Sequence, residues 1–298
     1  MELRVLRYFL MAAREENITK AAQLLHITQP TLSRQLMQLE EELGTALFHR
    51  SSHRIILTED GLLLKRRAQE ILELTDKTEQ EFSSREELAG EIAIGCGETC
   101  NIVHLSDWMV SFRERHPLVQ FRVYSATADE IKERIENGLL DIGLFMNPAE
   151  MQQYECISMP CRERWGALVR KDSPLALLET VSPADLLPYP LLLSWREQVN
   201  ERVAQWFGES FNQMQIAARY NLIINAAMMV KHHMGVALGL DLGTDLYPSL
   251  RMIPLSPALE SSAVLAWKKN QVRSRAVEQF IAHIRKDPLL CSKGISLM

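Results

Sequence analysis

Residues 28–38 carry short polar side chains and one arginine, a composition suited to recognising nucleic acid. Their hydroxyl, amide and guanidinium groups can hydrogen-bond base edges and phosphates. The residues concerned are Gln29, Thr31, Ser33, Arg34, Gln35 and Gln38. An ordinary surface helix would carry pairs of Glu and Lys at such positions. A solvated polar face is the alternative interpretation, and the neighbouring segments decide between the two.

Cysteines supply a second set of candidate groups. Cys96 and Cys100, in the motif CGETC, are too few for a structural zinc site without a second pair. Cys156 and Cys161 could form a switch disulfide, but the sequence around them shows no electropositive neighbourhood that would activate a thiol. Unpaired buried thiols are common in proteins. We therefore predict no metal site, and redox sensing is only the minor alternative.

The sequence contains none of the catalytic, cofactor or metal motifs considered next. His232 and His233 are adjacent on a predicted helix and point in different directions, so the pair is poorly placed to chelate one ion. The GCG of residues 95–97 lacks the third glycine and the distal acid of a dinucleotide fingerprint. Neither G-x-S-x-G nor H-E-x-x-H occurs. The sequence therefore predicts no enzyme activity, no cofactor and no metal.

Length and composition are typical of a soluble globular protein with two or three domains. The chain has 298 residues, of which 47% are hydrophobic and 24% charged. The lack of a leader and of an apolar run of about eighteen residues predicts a protein that neither spans nor crosses a membrane. Five scattered cysteines predict reduced thiols in the cytoplasm. The net charge is −5, yet residues 1–67 hold ten Lys or Arg against eight Asp or Glu.

A helix across residues 28–43 is predicted to position the polar run. Thr28 is a good N-cap, Pro30 fits the first helical turn, and Gly44 suits a left-handed C-terminal stop. Leucines at spacings of four, three and four predict one buried stripe: Leu32, Leu36, Leu39 and Leu43. The polar side chains are then left facing solvent.

Two further helices precede this one. The first is predicted to bury an apolar stripe made of Leu3, Leu6, Leu10 and Ala13, with Phe9 beside it. The second is predicted to follow a cap near Asn17 and Thr19 and to bury Ala21, Ala22 and Leu25. Its tight turn into Thr28 predicts a helix-turn-helix in which residues 28–43 form the reading helix.

A polar, basic loop follows at residues 49–54, between Phe48 and the β-branched pair at residues 55–56. This pattern predicts a two-stranded wing. Arg50 and Arg54 at its tip are suited to phosphates or a minor groove. Taken alone, the pattern also fits an ordinary surface hairpin. Beside a capped reading helix, we interpret it as a second DNA contact.

One longer motif spans this module: AAQLLHITQPTLSRQLMQLEEELGTALFHR, followed by a basic turn and LTEDG. It resembles the winged helix-turn-helix of the LysR-type transcriptional regulators, over most of the first 65 residues and without a gap. The resemblance implies that the family's DNA-reading positions are Gln29, Pro30, Thr31, Ser33, Arg34 and Gln35, with Arg50 and Arg54 in the wing. It also implies a homodimer or homotetramer on double-stranded DNA with an inverted-repeat operator. RNA polymerase is a further candidate partner.

A long helix is predicted after residue 58, because Thr58 is a cap and no Pro or Gly interrupts residues 62–88. A four-three heptad, weakened by two threonines, is formed by Leu64, Ala68, Ile71, Thr75, Thr78 and Phe82. The pattern predicts a linker and dimerisation arm over residues 59–89, after a DNA-binding domain at residues 1–58. A helix packed only within its own chain is the alternative.

From residue 90 strands alternate with helices, which predicts an α/β fold with parallel sheets. Strands are predicted at residues 92–95, 119–124 and 140–145, and in a second set at 164–169, 191–193, 216–220 and 236–240. A strand at 263–267 and a helix at 275–285 return to the first set. The predicted lobes are residues 90–161 with 265–298, and residues 162–264. NGLLDIG and MGVALG resemble the two-lobed, periplasmic-binding-protein-like effector domain of the same family.

The effector site is predicted where strand ends meet helix N-termini, whose free N–H groups attract anions. The predicted residues are Thr99, Cys100, Asn101, Thr127 and Ala128 from the first lobe, and Ser194, Trp195 and Asn221 from the second. Polar donors around one aromatic ring suit a small organic acid, such as a ring compound stacked on Trp195. Glu98 has the wrong sign for such a ligand unless it points away. Alternatively, Trp195 is a core residue and Thr99 and Thr127 are only helix caps.

Together these features predict a one-component transcription regulator, with DNA read by the first domain and a small effector bound in the last. An enzyme or solute-binding protein is the second hypothesis, and the missing leader disfavours exported solute binding. A nucleoid-type architectural protein is the third, and it would be strongly basic throughout. The sequence does not identify the effector, the target genes, or the choice between activation and repression.

Overall fold

The computed structural model describes residues 1–50, 54–83, 87–146, 151–243 and 248–287. The chain divides into two compact units, Met1–Glu87 and Leu88–Met298, each with its own hydrophobic core. Among the helices in the described ranges, none is long and apolar enough to cross a membrane.

Helices and one hairpin form the described part of the N-terminal unit. Its elements are α1 (Leu3–Glu15), α2 (Ile18–Leu24), α3 (Gln29–Leu43), β1 (Phe48–Arg50), β2 (Ile55–Leu57) and α4 (Glu59–Ser83). Asn17 caps α2, as predicted, because its side chain accepts the N–H of Lys20 at 2.9 Å. Thr28 is the N-cap of α3, also as predicted. Gly44 ends α3 with φ 69°, a left-handed conformation that favours glycine.

The buried face of α3 follows the predicted stripe over most of its length. Leu32, Leu36 and Leu39 are almost fully buried in the core of the N-terminal unit. The prediction is wrong for Leu43, which is 43% exposed. This leucine lies in the last turn of α3, next to the helix end at Gly44.

The buried face of α1 differs in register from the prediction. Leu3 is 42% exposed and Leu10 is only partly buried. Phe9 lies at the centre of the buried face instead, and its ring packs against Phe48 with centroids 5.3 Å apart. A large aromatic ring removes more apolar area from water than a leucine, so the helix turns that face inward. The buried residues of α1 are Val5, Leu6, Phe9, Ala12 and Ala13.

Much of the heptad predicted on α4 packs within its own unit. Ala68 is buried, and Leu64 and Ile71 are partly buried, in the same core as residues of α1. Exposed apolar side chains of α4 are Leu62, Leu63 and Leu74. The two threonines bond to the helix backbone, since Thr75 and Thr78 each donate a hydroxyl to a carbonyl four residues back at 2.8 Å. The side chain of Phe82 lies outside the described part.

The C-terminal unit consists of two α/β lobes. Lobe I contains β3 (Gly90–Cys96), α5 (Ile102–Arg115), β4 (Val119–Ser125), α6 (Ala128–Glu136), β5 (Ile142–Met146) and β6 (Tyr154–Ser158). Lobe II contains β7 (Glu163–Arg170), α7 (Pro183–Leu186), β8 (Leu191–Ser194), α8 (Glu197–Phe207), β9 (Ile216–Tyr220), α9 (Ile223–Lys231), β10 (Val236–Leu240), β11 (Leu250–Pro254) and β12 (Glu260–Ser261). The chain re-enters lobe I as β13 (Ala263–Lys268) and α10 (Arg275–Arg285).

Each lobe has one mixed sheet in the described ranges. In lobe I the strand order is β4-β3-β5-β13-β6, with β3 parallel to β4 and β5, and β13 antiparallel to β5 and β6. In lobe II the order is β11-β7-β10-β8-β9, with β12 paired to β7. Here β8, β9 and β10 are parallel, and β7 is antiparallel to β10 and β11. The predicted two-lobed α/β fold is confirmed. The prediction of parallel sheets is wrong in part, since both sheets also contain antiparallel strands, and the sequence pattern missed β6, β11 and β12.

Candidate DNA-binding face and interlobe cleft

The polar side chains at the start of α3 stand on an anchored first turn. The hydroxyls of Thr28 and Thr31 lie 2.7 Å apart, and the Thr28 hydroxyl accepts the N–H of Thr31 at 3.4 Å. The predicted reading residues are exposed at Gln29, Pro30, Thr31 and Arg34, and half-buried at Ser33 and Gln35. Within the described part of the chain, Gln29 and Arg34 make no side-chain hydrogen bond or ion pair. Their donors and acceptors are therefore available to a partner molecule.

The wing is fixed to the reading helix through one carboxylate. Oε1 of Glu40, on α3, accepts the backbone N–H groups of Leu47 at 2.8 Å and Phe48 at 3.2 Å. Phe48 then pairs with Leu57 in the antiparallel ladder of β1 and β2. The orientation of the wing relative to α3 is thus set by hydrogen bonds and by the buried side chain of Phe48.

Of the two arginines predicted in the wing, the structure describes the side chain of Arg54 only. Nε of Arg54 donates to a carboxylate oxygen of Glu16 at 2.6 Å, and the backbone carbonyl of Glu16 accepts the N–H of Ile55 at 3.0 Å. Arg54 is therefore already paired with an acid at the end of α1. The side chain of Arg50 lies outside the described residues.

A cavity of about 460 Å³ lies between the two lobes. Of the predicted effector residues, the structure brings together four around this cavity: Thr127, Ser194, Trp195 and Asn221. Trp195 is 61% exposed, so its ring is a wall of the cavity and not part of a core. Ala128 is exposed at the start of α6 and does not line the cavity.

Carboxylates occupy the helix N-termini that face the cavity. Glu130 and Thr127 form a capping box on α6, with the carboxylate accepting the Thr127 N–H at 3.1 Å and the hydroxyl accepting the Glu130 N–H at 3.3 Å. Oε2 of Glu98 accepts the N–H of Ile223, the first residue of α9, at 2.8 Å. Arg196 adds a guanidinium to the lining. The N–H groups that we expected to be free are therefore partly satisfied by the protein itself.

The consecutive residues Thr99, Cys100 and Asn101 belong to a buried cluster, not to the lining of this cavity. At its centre is Glu163, the first residue of β7, which is fully buried. Its carboxylate accepts the Thr99 hydroxyl, the Cys100 N–H at 3.1 Å and the Asn101 side-chain amide at 2.6 Å. Asn101 also bonds the backbone of Cys161 in both directions, at 2.9 and 3.2 Å. The cluster ties the loop after β3 to the segment that enters lobe II.

Sequence reasoning missed Glu163 and underestimated Glu98. Both act on partners more than sixty residues away along the chain, which no local pattern reports. A weak signal was present, because an acid at the start of an otherwise apolar strand needs a partner when it is buried. The cap alternative holds for Thr127, which caps α6 and also lines the cavity, but not for Thr99, because Asn101 is the N-cap residue of α5.

Three thiols, those of Cys96, Cys100 and Cys156, are poorly suited to redox chemistry. Burial, and then the carboxylate of Glu163, raises the pKa of Cys100 to about 12. Burial also raises the pKa of Cys96 and of Cys156. Because the thiolate is the reactive form, a raised pKa lowers the reactivity of these three thiols. In the described ranges, no group of three or more His, Cys, Asp or Glu side chains could hold a metal ion.

Comparison with known proteins identifies both units. Residues 3–62 match the family described as bacterial regulatory helix-turn-helix protein, lysR family, and residues 85–288 match the LysR substrate binding domain. The chain belongs to the LysR family of transcriptional regulators. It is therefore a transcriptional regulator with a DNA-binding helix-turn-helix and a substrate-binding domain. The family consists of regulators and not of enzymes.

The named curated relatives match this LysR-family regulator over about two thirds of its length, and a structural neighbour matches nearly all of it. The transcriptional regulator BsdA of Bacillus subtilis is 33% identical over 199 residues, which are 65% of this chain and 67% of BsdA. IlvY of Escherichia coli is 30% identical over 213 residues, 70% of each chain. The structure of full-length CbnR with its target DNA matches with a TM-score of 0.77 at 21% identity, covering 96% of this chain and 99% of that one. At this identity the likeness to CbnR concerns the fold.

Proposed function

We propose that the regulator reads a specific DNA sequence with the front of α3 and that a small molecule bound between the lobes controls this binding. One observation carries the first part. On a capped helix whose opposite face is buried, Gln29 and Arg34 are exposed and make no side-chain bond in the described part of the chain. Amide and guanidinium groups in this position suit adenine and guanine edges in a major groove.

The proposed assembly is a homodimer through α4, with a tetramer formed by further contacts between effector domains. Three exposed leucines support a partner surface on α4, namely Leu62, Leu63 and Leu74. These leucines are not the heptad positions that we predicted for the dimer contact. Part of that heptad packs in the core of the N-terminal unit itself. Two-fold symmetry then requires an inverted-repeat operator, with one helix-turn-helix on each half.

The proposed effector is a small organic acid with a flat ring. An exposed indole at Trp195 offers a stacking surface, and Arg196 offers a positive partner for a carboxylate in the same cavity. A volume of about 460 Å³ is within the range of small-molecule sites. Ser194 and Asn221 add hydroxyl and amide groups that could orient the ligand.

A gel-shift experiment on the fragment upstream of the regulator's own gene tests the DNA-binding proposal. We expect a salt-sensitive complex that excess random DNA does not compete away, because phosphate contacts supply salt dependence and base contacts supply specificity. A complex that random DNA removes completely would contradict sequence-specific binding to this fragment.

A reporter gene under the same promoter tests the effector proposal with a panel of organic acids. Trp195→Ala and Asn221→Ala should lose the response to an active acid while DNA binding is retained. Val272→Ala is the matched control, because Val272 is 98% exposed and does not line the cavity. An unaltered response in both cavity variants would place the effector elsewhere.

A further inference from the structure

Glu98 is a carboxylate that connects the two lobes across the cleft. It lies in the loop after β3 of lobe I, and its Oε2 accepts the N–H of Ile223 in lobe II at 2.8 Å, over a separation of 125 residues. Both residues line the interlobe cavity. The contact therefore lies in the space where the proposed effector binds, and it joins elements of two different sheets.

The hydrogen bond between Glu98 and Ile223 is stabilised by charge, yet it remains partly open to water. An ionised carboxylate on a backbone N–H is a charge-assisted hydrogen bond, and the N-terminus of α9 adds its positive dipole end. Glu98 is only half-buried, so water can compete for its oxygens when the lobes separate.

The next residues of the same loop are held in a different way. Thr99 and Asn101 are buried and bond to Glu163, which is fully buried. This end of the loop is fixed to the segment where the chain crosses between the lobes. The loop is therefore held at the crossing by buried bonds, whereas the contact of Glu98 with Ile223 is only half-buried and lies in the cleft.

We propose that Glu98 is an interlobe latch: its carboxylate acts as an internal ligand of α9 and joins the two lobes across the cleft. This inference rests on the proposed function in one respect, because an effector entering the cleft has to break or replace the bond to Ile223. An acidic effector then competes with an acid of the protein itself for the same helix end. Glu98 thereby sets how readily the cleft accepts a ligand.

Hydrogen–deuterium exchange of the Ile223 amide in the full-length protein tests the latch without any effector. In Glu98→Ala this amide should exchange on the order of tenfold faster, because a charge-assisted hydrogen bond is lost. Glu98→Gln keeps an acceptor of the same reach without the charge, and it should exchange only about threefold faster. The amides of Ala226 and Ala227, inside the same helix, should be unaffected in both variants.

Glu130→Gln is the matched control, because it removes the same charge from the same cavity. Its carboxylate bonds within lobe I, to the N–H of Thr127, so the variant should leave Ile223 exchange at the wild-type rate. The latch is overturned if Glu98→Ala, with an unchanged melting temperature, exchanges Ile223 within twofold of wild type. It is also overturned if Glu130→Gln has the same effect as Glu98→Ala. Neither result depends on finding an effector, so failure of the effector proposal is a separate outcome.

Discussion

The front of α3 and the loop after β3 both carry polar side chains, but those of α3 are exposed and those of the loop are largely buried. Gln29 and Arg34 are exposed and make no side-chain bond in the described residues, whereas Thr99 and Asn101 are buried against Glu163. A polar group without an internal partner is available to another molecule, and a buried one with a partner holds the fold together. Polar side chains are therefore available to a partner molecule in one region and attach the two lobes to each other in the other region.

The largest difference between the two regions should appear in the chemistry of Cys100. With a pKa of about 12, its thiolate fraction at pH 8 is on the order of a thousandfold below that of an ordinary cysteine. Alkylation by iodoacetamide, followed residue by residue with mass spectrometry, should be slower by about ten- to a hundredfold, because the greater nucleophilicity of a thiolate with a raised pKa offsets part of its lower concentration. The rate should rise as pH increases toward 12, because the raised pKa keeps the thiol protonated below it. Cys161, which is exposed, is the internal control for reagent access. Alkylation of Cys100 at the rate of free cysteine would show that the cluster is open.

Loss of the Glu163 carboxylate should destabilise the C-terminal unit strongly. Glu163→Ala removes the acceptor of three donors: the Thr99 hydroxyl, the Cys100 N–H and one of the two N–H groups of the Asn101 amide. We expect the free energy of unfolding to fall by about 3 kcal/mol, since each orphaned buried donor costs about 1 kcal/mol or more. Denaturant unfolding of the full chain, followed by tryptophan fluorescence, measures this change.

Glu260→Ala is the control for that prediction. Glu260 forms ion pairs with two exposed arginines, Arg162 at 3.8 Å and Arg164 at 3.6 Å. Surface pairs of this kind contribute less than about 1 kcal/mol, so this variant should unfold close to wild type. Equal losses in the two variants would contradict the role of burial and hydrogen bonding at Glu163.

Variants of α3 should change recognition and leave stability nearly unaffected. Gln29→Ala and Ser33→Ala should each weaken specific DNA binding by about 1–3 kcal/mol, with non-specific binding almost unchanged. Arg50→Ala in the wing should weaken all sequences about equally and lower the salt dependence. Gln38→Ala, on the later part of the same exposed face, is the control and should change affinity by less than about 0.5 kcal/mol. Fluorescence anisotropy with specific and random duplexes separates these outcomes.

The smallest effect concerns Arg54, the wing residue that already has an internal partner. Glu16→Ala removes the carboxylate that pairs with it and should strengthen non-specific binding by about two- to fivefold. The slope of log affinity against log salt should increase in magnitude by about 1. In an Arg54→Ala background, Glu16→Ala should produce no such gain. A gain of the same size in that background would mean that Glu16 acts by its charge alone.

Local patterns predict most of the elements, because helices and strands are decided by short-range periodicity. The predicted ranges 216–220, 236–240 and 275–285 coincide with β9, β10 and α10. The exposed face of α3 could be predicted for the same reason, since one leucine stripe fixes which side is exposed. In α1 the period was right but the register was wrong, because Phe9 outweighs Leu3 and Leu10 in buried area.

The cleft was harder to predict because its contacts join distant parts of the chain. Thr127, Ser194, Trp195 and Asn221 follow strand ends, and parallel strand topology brings such positions together. The partners of Thr99 and Asn101 depend on where β7 crosses from one lobe to the other, which the sequence pattern does not give. Residue type alone could not tell a ligand-binding threonine from one that bonds to a buried acid.

Selection of binding sites from a random DNA library by the full-length protein tests most directly that α3 reads sequence. Wild type should enrich an inverted repeat whose half-sites are separated by one helical turn or a multiple of it, about 10 base pairs each. Gln29→Ala, selected in parallel, should relax or change the preferred base at one position of each half-site. Absence of an enriched repeat for wild type, or an identical repeat for Gln29→Ala, would contradict the assignment of the reading face.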